Sequence, residues 1–236
     1  MIRALSLDLW DTLIEAETGP LEPYTALKLE ALRSVLNRAK PLTSKDFLET
    51  YLKVSKYKDI LSPKLFPRLL AALHGYDPSS QVVEEAVRAY EKAAYSYKPR
   101  PLEGSQALLE YAKKKGLKVA IVTNTSFSAK AVAKMLENAG LLQYVDYIVT
   151  SADTEVIKPN PRIFQLALRA LGVSASEVVH VGDSCVGDAV GAYLVGIKPI
   201  LLARSEETAQ LCQGIPLLAI VKNLGEVVVV LEKLLS

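Results

Sequence analysis

The stretch Ala4-Leu5-Ser6-Leu7-Asp8-Leu9-Trp10-Asp11-Thr12-Leu13 constrains this chain more than any other. Its apolar run is too short for a typical helix and ends abruptly in two aspartates and a threonine. That is the pattern of a buried strand delivering Asp8 to an exposed end. A carboxylate so placed can serve as a nucleophile. It can equally start a turn, the commoner fate of a lone aspartate.

From Gly104 onward, helix-period and strand-like segments alternate, which argues for an α/β fold with a Rossmann-like parallel sheet covered by helices. A helix through Leu108, Leu109 and Ala112 stops near Gly116, and Leu117 to Val122 follows as a strand. Ser126 is placed to cap a helix ending near Gly140, and Val145 to Val149 is the next strand. Asn160-Pro161 opens a helix running to Gly172, Val178 to Val181 leads into Gly182-Asp183, and Pro199 to Leu202 closes the strand series. The tail has strand-like valines, but Leu224, Val227, Val228, Leu231, Leu234 and Leu235 keep helical spacing, so it is assigned to a helix.

Between Ile14 and Tyr97 nothing reads as a strand. Helical spacing recurs around Leu29 and Leu32, after a Thr43 cap, after Ser62-Pro63, and from Pro78 to about Tyr97. Turn-rich segments flank this region at Glu15 to Pro23 and Tyr97 to Gly104. The expected organisation is a core of residues 1–14 and 99–236 with an inserted all-helical cap domain at 15–98.

Four short stretches fall at the expected strand ends: Asp8-Leu9-Trp10-Asp11-Thr12, Thr123-Asn124, Lys158-Pro159, and Gly182-Asp183-Ser184-Cys185-Val186-Gly187-Asp188. In an open parallel sheet such loops converge on the crevice at the carboxyl edge, where ligands bind. In this order the motifs closely resemble those of the haloacid dehalogenase superfamily, and the helical insertion sits where that family's first cap class inserts. The resemblance covers residues 1–14 and about 100 to 205. It implies that Asp8 attacks phosphorus to form an aspartyl-phosphate, which water then cleaves. It further implies Mg²⁺ held by Asp8, the backbone carbonyl of Trp10, Asp183 and Asp188. Thr123, Asn124 and Lys158 would bind the phosphoryl oxygens, Thr123 and Lys158 also stabilising their developing charge.

One position departs from the family pattern. Phosphatases of the family carry a second aspartate two residues after the nucleophile, as the acid that protonates the leaving alkoxide; here that residue is Trp10, with Asp11 one place further on. Three readings follow from the resemblance. The first is a Mg²⁺-dependent phosphatase with an altered acid, the second a metal-free 2-haloacid dehalogenase, and the third a relative that binds phosphorylated ligands without turnover. Dehalogenases of the family also lack the second aspartate, but they replace the first aspartate of the acidic motif, which is present here as Asp183.

Composition narrows the partners. Twenty-eight Lys and Arg against 26 Asp and Glu leave a formal charge of +2, too small a field to capture nucleic acid or an anionic membrane, so the expected partner is a small phosphorylated molecule. No apolar run approaches the roughly 18 to 20 residues of a membrane span, and no leader pattern is visible, so a cytoplasmic protein is expected. Cys185 and Cys212 have no metal-ligand spacing and are expected to be free thiols, a disulfide being the minor alternative. His180, in a buried strand, is expected to be a satisfied core residue rather than a ligand or base.

Overall fold

The computed structural model describes residues 1–16, 23–55 and 65–235. Ala4–Leu7 (β1) lies between Lys118–Thr123 (β2) and Val178–Gly182 (β4). Outside these lie Tyr147–Thr150 (β3) on one side and Lys198–Leu202 (β5) and Ala219–Val221 (β6) on the other, giving the order β3-β2-β1-β4-β5-β6. Every pairing is parallel.

The central strands are covered on both faces, which is why they read as continuous apolar runs rather than alternating ones. Leu5, Leu7, Val119, Ile121, Val179 and Val181 point to one face. There they pack with residues of Ser105–Lys114 (α5), Ala129–Asn138 (α6) and the C-terminal helix Leu224–Leu235 (α11). Ala4, Ala120, Val122 and Val178 point to the other face, against Ile163, Phe164 and Leu171 of Pro161–Leu171 (α8) and Ala192 of Gly191–Leu194 (α9). A one-turn helix, Ser151–Thr154 (α7), follows β3, and Glu206–Leu211 (α10) follows β5.

Among the described residues four α-helices separate β1 from α5: Pro23–Leu36 (α1), Ser44–Val54 (α2), Leu65–Leu73 (α3) and Gln81–Ala93 (α4). Helix α1 packs along α4, and Thr43 caps α2 as its sequence suggests, its hydroxyl accepting from the Asp46 N–H at 3.1 Å. The chain leaves and re-enters the core by two segments lying side by side. Leu102 N–H donates to Leu13 O at 2.9 Å, and Glu15 N–H to Arg100 O at 3.0 Å.

Several boundaries differ from expectation for local reasons. Ser128, not Ser126, caps α6, its hydroxyl accepting from Ala131 N–H at 3.3 Å, while Ser126 meets the Tyr90 hydroxyl at 3.1 Å. Val145 and Asp146 precede β3, because Val145 N–H closes a turn on Leu142 O and the Asp146 carboxylate accepts from Val119 N–H. Pro78 falls in a turn that Asp77 organises through the Ser79 N–H and hydroxyl, and α4 starts after Ser80. The three-residue β6 carries too short a pattern to be seen in sequence. The Ser62-Pro63 start expected for α3, and most of the first turn-rich segment, lie outside the described residues.

The cysteines correct a further expectation. Cys185 and Cys212 form a disulfide with their Cα atoms 5.6 Å apart. The π-helical turn after β4 and the end of α10 are brought together over a small apolar cluster with Ala189, Leu201 and Ala203. The 27-residue separation carries no local signal of this pairing. Cysteine usage therefore gives no support to a reducing compartment.

Candidate active site

Each site residue is set by the backbone before its side chain enters the argument. Asp8 follows β1 directly and stays in sheet register, its N–H donating to Val181 O at 2.9 Å. The chain then turns back on itself: Leu13 and Ile14 N–H both donate to Leu9 O, and Asp11 takes a left-handed φ of 53°. Thr123 ends β2. Lys158 lies in the loop before α8, whose start is fixed by Asn160 capping Arg162 N–H, as the Pro159 and Asn160 pattern implies. Asn124 grips the Lys158 backbone at both ends, its Oδ1 accepting from Lys158 N–H at 2.8 Å and its Nδ2 donating to Lys158 O at 3.2 Å.

These placements bury a charged trio. The Lys158 ammonium donates to Asp8 Oδ1 at 2.6 Å and to Asp188 Oδ1 at 2.5 Å, with all three side chains at or below 8% exposure. Thr12 adds a long contact of 3.3 Å from its hydroxyl to Asp8 Oδ2. Asp188 is held further by Ser184 N–H at 3.0 Å on Oδ2 and by His180 Nε2 at 3.2 Å on Oδ1. The other His180 nitrogen meets the Ser6 hydroxyl at 2.9 Å, so the histidine is a satisfied core residue that bridges β1 to the acidic loop. Gly182 is required at its position: a Cβ there would lie 2.2 Å from the Asp188 carboxylate carbon.

The electrostatics follow from burial and charge count. Burial opposes ionisation of Asp188, but the Lys158 ammonium and then His180 outweigh it and hold the carboxyl well below the usual range. Burial likewise works against charged Lys158, yet Asp188 and Asp8 together push its pKa above that of an ordinary lysine. Asp8 is raised, chiefly by burial, with Lys158 acting against the shift. Asp183 is pushed up to about 7, first by burial and then by repulsion from Asp8, Asp188 and Asp11. Three carboxylates thus stand against one ammonium, and oxygens of Asp8, Asp183 and Asp188 all lie within 4.8 Å of one another. A set of hard oxygen donors carrying excess negative charge fits a small divalent cation such as Mg²⁺.

The other expected residues are placed less uniformly. The Thr123 hydroxyl is fully buried and has no hydrogen-bond partner among the described residues. An orphaned donor of this kind costs free energy unless a further group meets it. The Asn124 amide is engaged with Lys158, leaving it to shape the loop. Trp10 is half-buried, its ring 6.2 Å from that of Tyr24, which stacks at 3.9 Å on Tyr97. Asp11 accepts from Ala16 N–H at 3.1 Å and pairs with Arg204 at 3.5 Å. Sequence reasoning missed the contacts of Thr12, His180 and Arg204. A signal existed for His180, because Ser6 and His180 are polar residues in two apolar runs that prove to be register partners.

The comparisons with known proteins agree with this architecture. The family model for haloacid dehalogenase-like hydrolases matches residues 2–196, and the chain belongs to that family. A glyceraldehyde 3-phosphate phosphatase of Methanopyrus kandleri is 30% identical over 213 residues, covering 87% of this chain and 86% of that protein. The haloacid dehalogenase-like hydrolase domain-containing protein 3 of mouse is 33% identical over 134 residues, 57% of this chain. That match spans about half, 52%, of the mouse protein. Among solved structures, a 2-haloacid dehalogenase from Pseudomonas syringae superposes with a TM-score of 0.69 at 24% identity, covering 99% of this chain and 100% of that one. A phosphatase of the same superfamily from Thermococcus onnurineus superposes with a TM-score of 0.67, also at 24% identity, over 98% of each chain. At that identity the two structures speak for the fold alone.

Proposed function

We propose that this protein is a cytoplasmic, Mg²⁺-dependent phosphatase that acts on a small phosphorylated molecule through an aspartyl-phosphate at Asp8. The observation that carries the proposal is the convergence of Asp8, Asp183 and Asp188 beside a buried lysine at the carboxyl edge of the sheet. A metal-free carbon displacement has no use for three converging carboxylates, whereas phosphoryl transfer needs a cation opposite the phosphate charge. The phosphatase names carried by relatives such as the Methanopyrus protein point the same way.

In this reading an Asp8 carboxylate oxygen bonds to phosphorus as the bond to the leaving oxygen breaks, and water later releases phosphate from the aspartyl-phosphate, an acyl phosphate, restoring the carboxylate. The Lys158 ammonium and the Thr123 hydroxyl meet the non-bridging oxygens, which would give that buried hydroxyl its partner. Mg²⁺, held by Asp8, Asp183, Asp188 and the Trp10 carbonyl, would add positive charge against the same phosphoryl group. Asn124 positions the Lys158 loop rather than touching substrate. Residues 15–98 form the cap over a core of 1–14 and 99–236, with Tyr24 of α1 leaning on Trp10 where the two meet. Because the Trp10 indole is far too weak an acid to protonate a leaving oxygen, the leaving group departs nearly unassisted, and esters with acidic leaving groups are the preferred substrates.

The test is hydrolysis of an aryl phosphate with and without Mg²⁺. Turnover should require the metal and disappear in Asp8→Asn. Persistence after that substitution, or indifference to chelation, would sink the phosphoryl-transfer assignment. Incubation with 2-haloacids should release no halide.

A further inference from the structure

The loop carrying Asp8 and the loop carrying Asp183 and Asp188 come from different strands, and each is tied to one short segment that belongs to neither. At its start, separated from the end of β5 by Ala203 alone, Arg204 reaches the nucleophile loop, donating from Nη1 to the Asp11 carboxylate at 3.5 Å and from Nη2 to the Asp11 carbonyl. At its end, after α10, Cys212 is bonded to Cys185, two residues beyond Asp183 and three before Asp188. The pairing of Ala203 N–H with Val221 O anchors the segment's root to β6.

We propose that Arg204 to Cys212 is a brace that fixes the spacing of the two loops, with Arg204 as a positioning residue for the nucleophile side. The geometry favours a clamp over incidental contact. Arg204 holds a backbone carbonyl as well as a side chain, at a residue whose left-handed φ sets the return of the loop to Ile14. Its planar, two-pronged head suits that task and a lysine's does not. The disulfide sulfurs belong to residues exposed by 5% and 0%, so the bond is a permanent staple sheltered from thiols rather than a switch. The proposal rests on the phosphatase reading only for its kinetic arm.

Hydrogen exchange decides the brace without reference to activity. The Gly187, Asp188 and Ala189 amides bond to Ser184, and those of Asp11, Leu13 and Ile14 close the nucleophile loop. In a Cys185→Ala/Cys212→Ala variant, exchange at the first set should rise by about tenfold or more. Exchange at the second set should rise as well, because a segment held only at its Ala203 root keeps the Arg204 side chain less firmly on Asp11, while β1 stays protected. Acceleration confined to the acidic loop would overturn the brace. Arg204→Gln, which keeps the staple, supplies the same test if the double variant does not fold: it should loosen Asp11, Leu13 and Ile14, and unchanged protection there would overturn the positioning role. Kinetically, Arg204→Gln should lower kcat by about tenfold with KM little changed, and Arg204→Lys should recover only part of the loss. A rise in alkyl phosphate turnover would show that Arg204 restrains Asp11 as an acid, and would also overturn the proposal. If the unaltered protein hydrolyses no phosphate ester, the functional reading fails while the exchange results still judge the brace.

Discussion

The carboxyl edge of the sheet buries charge against charge, while the helical layer beside it buries a charge among rings. At the edge, Asp8, Lys158 and Asp188 sit at hydrogen-bond distance, each supplied by a different loop at the ends of the strands. In the layer, Tyr24, Tyr90 and Phe127 stack around the Lys28 ammonium, with ring centroids 5.2 to 6.0 Å from its nitrogen. Removing one member of the first group strands an opposite charge where water does not reach. Removing a polar contact within the helices costs only that contact. The same burial therefore makes one region intolerant and leaves the other open to change.

Substitutions at each region sharpen this contrast. Lys158→Met leaves Asp8 and Asp188 facing each other, and should abolish turnover and lower stability by about 3 to 5 kcal/mol in denaturant unfolding. A loss no larger than that of a helical-layer variant would erase the distinction. Trp10→Asp should raise turnover of alkyl phosphates by roughly tenfold and flatten the dependence of rate on leaving-group pKa, provided the lost indole packing does not collapse the loop. A shallow dependence already present in the unaltered protein would place the proton donor elsewhere. Tyr76→Phe removes a buried hydroxyl that shares its one proton between Leu36 O at 3.0 Å and Lys40 O at 2.9 Å, tying the turn after α3 to the end of α1. It should cost about 1 kcal/mol with kcat unchanged, and an effect on kcat would tie the two regions together.

The smallest effect lies far from both. Glu177 is held down at about 2, first by the Ser174 N–H, then by the Ser174 hydroxyl and Arg3, against an ordinary value of 4.5. A depressed carboxylate gives stability that is present above its unfolded pKa and lost as pH falls through its folded one. Acid unfolding between about pH 4.5 and 2 should therefore be slightly shallower in Glu177→Gln. An unchanged acid profile would mean that the turn before β4 contributes nothing.

The strands and four site stretches were legible because period and punctuation are local: an apolar run, then a turn residue, then a carboxylate. Lys158 was legible because Pro159 and Asn160 mark a loop before a helix. Contacts between distant segments were not. Nothing near Cys185 points to Cys212, and nothing near Asp11 points to Arg204, since each pairing depends on how β4 and β5 lie side by side. That the Lys158 backbone takes up both ends of the Asn124 amide was not legible either, because no local pattern joins those two loops. Helices α1 and α4 were legible as helices, yet their ring cluster also draws on the loop before α6, and no motif links the three.

The central position of β1 has a consequence for how the chain assembles. Its partners arrive late: among the described residues β2 follows five intervening α-helices, and Ser6 meets His180 across 174 residues. Closing loops of that length slows the search for native pairing and leaves early intermediates with an unpaired apolar strand. On the ribosome, β1 is made long before β4 and has to wait for it. Asp8 cannot meet its lysine until Lys158 has also emerged, so the half-made chain carries that carboxylate without the ammonium it is buried against.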